Sequence, residues 1–159
     1  MAEQDAHSIV VIGDMNPSIF HPLWFAREDL LTESEAEEAD IKLIHPDITA
    51  FSSGWLQAQV TREKFLIKTR DESFFEPLRD LAVGTFSLLA HTPLRAVGVN
   101  FERHIKIEGE KIGELTDKFA PIDFWENKEL NTRFLELSVS IDKATVQYPL
   151  RFIRVKIEP

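Results

Sequence analysis

The chain contains no cysteine. This excludes disulfides, thiolate nucleophiles, iron–sulfur clusters and cysteine-ligated zinc together. Glycine is scarce, at six residues, and none of them builds a phosphate-cradling loop. Gly13-Asp14 follows an apolar run, but the chain has no G-x-x-x-x-G-K pattern, and Asp14 reads as a turn former that bonds its own backbone. No serine sits in a G-x-S-x-G elbow. The five histidines are His7, His21, His45, His91 and His104, and no two have the i, i+4 spacing of a helical zinc pair. The acidic residues match no calcium loop, which needs oxygen ligands at fixed offsets around a glycine turn. No cofactor and no metal are expected. No apolar run approaches the ~18–20 residues that cross a bilayer. The opening MAEQDAH lacks the basic and apolar regions of a signal peptide. Cytoplasmic residence without membrane association is the expectation.

What is present begins with charge. The formal net charge is −9, and Glu28 to Asp40 holds most of the excess. An acidic chain repels phosphate backbones and anionic lipid surfaces. The one basic stretch, Arg62, Lys64, Lys68 and Arg70, has Glu63, Asp71 and Glu72 beside it. Nucleic-acid binding is not expected, because neutralising phosphates needs clustered cations. The acidic run reads as a solvated helix end or surface loop, and as an adaptor surface (Glu33 to Asp40) for a basic partner in a minor alternative.

The length, 159 residues, and the 43% hydrophobic content suit one domain with a sizeable core. HSIVVIGD reads as a buried strand. Pro22 opens a helix to about Leu31, with Leu23, Phe25 or Ala26, and Leu30 inward. IKLIHPDITAF reads as one extended segment interrupted by Pro46. GWLQAQV and KFLIKTR alternate with period two about TREK and predict a hairpin, with Leu56, Ala58 and Val60 on one face and Phe65 and Ile67 joining the core. A long helix follows, capped by a Ser73/Glu76 box. Its stripe is Phe75, Leu78, Ala82, Phe86 and Leu89, with Phe74, Leu81 and Leu88 beside it. Gly84 within it is read as permitting close approach to the sheet.

After Thr92-Pro93 an alternating strand sets Val97, Val99, Phe101, Ile105 and Ile107 on a buried face. Ala96, Gly98, Asn100, Glu102 and His104 take the other. A short helix is predicted before Pro121 and another from it, with Phe119, Ile122 and Trp125 plugging the core. RFLELSVSID and LRFIRVKIEP predict a last antiparallel pair with Ile153, Val155 and Ile157 inward. The expected fold is α+β, an antiparallel sheet with helices packed on one face, in the order β-α-β-β-β-α-β-α-β-β. A single domain spans 1–159, with a weak two-half organisation at about 8–91 and 93–158.

Asn100, Glu102 and His104 form the tidiest polar cluster, aligned on one sheet face. A carboxylate beside an imidazole is the arrangement of a general base, so Glu102 and His104 are the catalytic candidates of a small hydrolase or ligand-binding enzyme. The ordinary alternative is a solvated sheet face. Trp24, Trp55 and Trp125 are candidate interface anchors, since tryptophan is enriched at binding hot spots, with core packing as the competing role. Asn100, Trp24 and Trp55 are thus the candidate binding residues.

The runs GDMNPSIFHPLWF, RDLAVGTFSLLAHTPLRAVGVN, FAPIDFW and the closing VKIEP resemble a patchily distributed family of uncharacterised bacterial proteins. The likeness rests on Pro17, Phe20, Pro22, Trp24, His91, Thr92, Pro93, Gly98, Asn100, Pro121 and Trp125. It implies a bacterial cytosolic protein and carries no established activity with it. Members continue beyond the closing Glu-Pro. Patchy distribution is common among defence-linked genes, so antiviral defence against phage is the implied setting. The leading expectation is a non-enzymatic binding or scaffold protein that self-associates as a homo-oligomer or docks a protein partner.

Overall fold

The computed structural model describes residues 2–105, 114, 118, 137–142 and 152–157. The chain divides into two compact units, Met1–Lys106 and Ile107–Pro159. The first is an α+β sheet unit.

Its strands are β1 (Ala2–Gly13), β2 (Asp40–His45), β3 (Ile48–Ser53), β4 (Leu56–Thr61), β5 (Lys64–Thr69) and β6 (Leu94–Ile105). Its helices are α1 (Pro22–Arg27), α2 (Glu33–Glu37) and α3 (Phe75–Leu88), with 3-10 turns at Pro17–Ile19 and Glu72–Phe74. The strands lie in the order β2-β3-β4-β5-β1-β6, every neighbouring pair antiparallel. A four-strand meander, β2 to β5, therefore carries β1 on its far side, and β6 closes the row.

Period-two alternation decides which face is buried. Leu56, Ala58 and Val60 of β4 and Phe65 and Ile67 of β5 face the core, as their spacing predicts. The register continues this side through Ile9 and Val11 of β1 and through Thr49, Phe51 and Ser53 of β3. All three helices cover the same side. α3 buries Leu78, Leu81, Ala82 and Thr85 over β1 and β5. Phe25 of α1 packs its ring on Phe51, and the Thr49 hydroxyl donates to the carbonyl of Pro17 at 2.8 Å.

Several expectations are corrected. IKLIHPDITAF is two strands, not one. Pro46-Asp47 forms a two-residue turn, so the meander gains a strand. The Ser73/Glu76 capping box does not form: the Asp71 carboxylate takes the amide and the hydroxyl of Ser73, and α3 starts without a side-chain cap. A full box does form at α2. There the amide and hydroxyl of Thr32 donate to Glu35, and the Thr32 oxygen accepts from the Glu35 amide. α1 ends at Arg27 rather than near Leu31, and Leu23 is exposed while Phe25 is fully buried. Gly84 makes room for Leu30, whose methyl lies 2.5 Å from where a Cβ would stand, and not for the sheet.

The largest correction concerns β6. Val97 and Val99 stand opposite Val11 and Ile9, and Phe101 opposite His7, so they do face the core side. They are nevertheless 64%, 49% and 64% exposed. The reason is reach. A helix is about 10–12 Å across and strands are about 4.8 Å apart, so one helix shields roughly two strands. α3 spends its width on β1 and β5, and the edge strand lies beyond it.

In the second unit, β7 (Leu137–Asp142) and β8 (Phe152–Ile157) are antiparallel. Their register sets Leu137, Val139 and Ile141 opposite Ile157, Val155 and Ile153, which is the predicted last pair. Glu114 and Lys118 are helical. Phe119, Pro121, Ile122 and Trp125 lie outside the described residues, as do Ile107 and the side chains of His104 and Ile105.

Candidate functional site

β6 enters the sheet through a tight corner. The carbonyl of Pro93 accepts from the Asp14 amide at 3.1 Å and lies 2.4 Å from where a Cβ on Gly13 would stand. Only glycine allows the end of β1 and the start of β6 to pass this closely. Gly13 is therefore a packing glycine and not part of a phosphate loop. From there β6 runs beside β1 without interruption from Ala96 to His104.

Among the described residues the outcome is an exposed apolar strip: Val97, Val99 and Phe101 along one side of an edge strand. Its inner margin is aromatic. Phe101 packs on Phe75 of α3, with ring centroids 5.0 Å apart, and both rings flank His7 at 5.2 and 5.5 Å. His7 is 8% exposed, and neither of its ring nitrogens has a hydrogen-bond partner. Among the described residues it is the one side chain with buried polar atoms left unpaired. Native interiors rarely leave such groups orphaned, because desolvation without a partner costs about 1–3 kcal/mol. The sequence carried a signal for it. His7 is in phase with Ile9 and Val11, so its imidazole had to enter the apolar side.

The opposite side of β6 carries the predicted polar cluster. Asn100 donates to the Ser8 hydroxyl at 3.2 Å, and the Lys68 ammonium approaches the Glu102 carboxylate at 3.4 Å. Asn100 and Glu102 thus tie β6 across β1 toward β5. Both residues are exposed. Such cross-strand ties stabilise the pairing of β6 with β1, and the Ser8 that Asn100 reaches is itself buried. The His104 side chain lies outside the described residues.

Trp24 and Trp55 belong to the packing. Trp24 is half-buried, its ring at an angle to those of Phe20 and Phe25. Trp55 stacks on Phe74 with ring centroids 5.1 Å apart and donates its indole N–H to Glu35 at 2.8 Å. Burial pushes the Glu35 carboxyl pKa up. The bonds from the Thr32 amide, the Thr32 hydroxyl and the Trp55 indole outweigh this and hold it below the usual carboxylate range. Together with the Ser53 hydroxyl bonded to the Glu35 carbonyl, these ties clamp α2 onto β3.

The remaining histidines are structural or exposed. His21 caps α1 by accepting from the Leu23 amide at 3.2 Å, as its place before Pro22 suggests. His45 accepts from the Asp47 amide within the β2–β3 turn. His91 lies three residues past the end of α3 and is exposed. Arg62 of the basic stretch pairs with Asp47. Among the described residues no three His, Asp or Glu side chains converge on a metal position. No described helix is long and apolar enough to cross a membrane. No protein-family model, no curated protein and no solved structure matches this chain.

Proposed function

We propose that the chain is a non-catalytic protein-binding module whose docking surface is the β6 strip. The observation that carries this is the exposure of Val97, Val99 and Phe101 on the core-facing side of an edge strand. Contiguous uncovered apolar side chains cost free energy in water and mark surfaces that another protein covers. The orphaned His7 beside them defines the chemistry of that partner. It presents an apolar segment with a hydrogen-bonding group able to reach the imidazole once Phe101 moves aside. The proposed setting is the one the sequence resemblance implies, the bacterial cytosol and defence against phage. Neither tie on the opposite side, Asn100 to Ser8 or Lys68 to Glu102, calls for a reactive role.

The test uses proteins that co-purify with the chain from its own cell at native expression, each then purified and rebound in isolation. Val97→Lys with Val99→Lys is expected to weaken a genuine partner about a hundred-fold, since two apolar contacts are replaced by charges that must be desolvated. Thermal unfolding should stay close to wild type, because both side chains face water. Equal binding by the double variant ends this reading.

A further inference from the structure

The other edge of the sheet carries a separate surface, and we infer that it takes a second copy of this chain. β2 is Asp40-Ile41-Lys42-Leu43-Ile44-His45, and all six residues are exposed. Ile41, Leu43 and Ile44 are large apolar side chains held 43–48% in water.

The strand is irregular in an informative way. Ile41 pairs with Phe51 and Leu43 with Ala50, so Lys42 is an extra residue, a β-bulge. Ile44 then pairs with Thr49. Phe51 and Thr49 both face the core side, so Ile41 and Ile44 share that side although they are three residues apart. Asp40 and His45 pair with Ser52 and Ile48, which face the opposite side.

This makes β2 its own complement. Let a second β2 run antiparallel to the first about a twofold axis between Lys42 and Leu43. Ile41 then meets Ile44 of the second copy, Asp40 meets its His45, and Lys42 meets its Leu43, each contact occurring twice as an isologous interface requires. Opposed residues in an antiparallel pair must share a side. Without the bulge, period two would put Ile41 and Ile44 on opposite sides, and the register would be forbidden. With it, apolar faces apolar and a carboxylate faces an imidazole. Lys42 lays its aliphatic stem over Leu43 of the second copy while its ammonium, exposed, stays paired with Asp40 of its own strand. A lysine at an edge also discourages indiscriminate strand pairing. The same operation on β6 is poorly matched: the register that opposes Val97 to Phe101 sets Arg95 against Arg103.

The pairing joins two six-stranded sheets edge to edge. Its area is small, so the dimer is reversible on dilution. It is independent of partner binding at β6.

Sedimentation velocity of the full chain over a concentration series tests it. Wild type should pass from the mass of one chain to that of two as concentration rises. His45→Glu sets carboxylates face to face at two places and should weaken the dimer about ten-fold; Ile44→Lys should do the same. Adding Asp40→Lys to His45→Glu restores opposite charges and should restore the dimer, which a merely structural role for His45 does not predict. The β6 double variant should dimerise like wild type. A chain that stays at single mass throughout overturns the inference. So does a dimer indifferent to His45→Glu, a folded Asp40→Lys/His45→Glu protein that stays monomeric, or a dimer lost only in the β6 variant.

Discussion

Val11 and Val97 stand opposite each other on adjacent strands and face the same side of one sheet, yet Val11 is 2% exposed and Val97 64%. Ile9 and Val99 repeat the contrast one pair along. In each pair both residues are β-branched and face the same way, but β1 lies between two strands under α3 and β6 is the edge beyond it. α3 lies over β1 and stops there. At the far side α1, α2 and the Pro17–Ile19 turn cover β3 and leave β2 outside. Burial in this unit is therefore a property of the layer above a strand and not of the strand's own pattern. These four helical elements are enough for the four middle strands, and both edges are left over. The two edges then diverge. β2 is short and bulged, begins at Asp40 and ends before Pro46. β6 is long, and it pairs regularly with β1 through its middle. One edge is guarded and self-complementary; the other is open and apolar.

Truncation should separate the two strands most strongly. Ile9→Ala should destabilise the protein by about 2–5 kcal/mol, since it opens a cavity beneath α3. Val99→Ala, directly opposite, should cost much less, about 0.5–1 kcal/mol, because half of that residue stays in water. Urea unfolding of both variants checks this, and similar losses would mean that β6 is covered after all. A smaller effect is expected from glycine replacements. Gly13→Ala forces a methyl against the Pro93 carbonyl at the β1–β6 corner, where backbone must move, and should cost about 1–3 kcal/mol. Gly84→Ala meets only the end of the Leu30 side chain, and its gain of about 1 kcal/mol in helix propensity should leave it near neutral. Thermal melts of the pair separate a corner that fixes β6 from a contact that yields.

The smallest effect concerns the cover over β3. Thr32→Ala removes the α2 cap and should cost about 1 kcal/mol. Glu35 adds a pH dependence whose sign follows from its depressed folded pKa. The unfolded carboxyl, near pH 4.3, binds protons before the folded one does. The stability Glu35 contributes is therefore present above that pH and is lost as pH falls through the lower folded value. Glu35→Gln should flatten this acid limb of the stability profile and leave the neutral-to-basic limb parallel to wild type.

Much of the fold was legible because its signals are local. The β4–β5 hairpin and its inner face, the α3 stripe and the antiparallel pairing of β7 with β8 all follow from alternation or helical spacing. The β2–β3 turn was not legible, because the Lys42 bulge breaks the period-two pattern and Pro46 reads equally well as an interruption. Thr32-x-x-Glu35 and Ser73-x-x-Glu76 match the same capping pattern. Asp71 decides between them by drawing Ser73 into an earlier turn. Of the candidate site residues, Asn100 and Glu102 were placed on the right face. Their partners Ser8 and Lys68 were beyond reach, since they lie more than thirty residues away in sequence.

Residue type and spacing alone set the β4–β5 hairpin, the α3 stripe and the β7–β8 pair, the side of β6 on which Val97, Val99 and Phe101 project, and the exclusion of cysteine chemistry. These depend on bond geometry and residue type, which act over a few residues. Tertiary contacts decided that this side of β6 is left exposed, that His7 is buried without a partner, and that the bulge aligns Ile41 with Ile44. Those outcomes depend on how far a helix about two strands wide reaches across a sheet of six, and no local pattern encodes that distance.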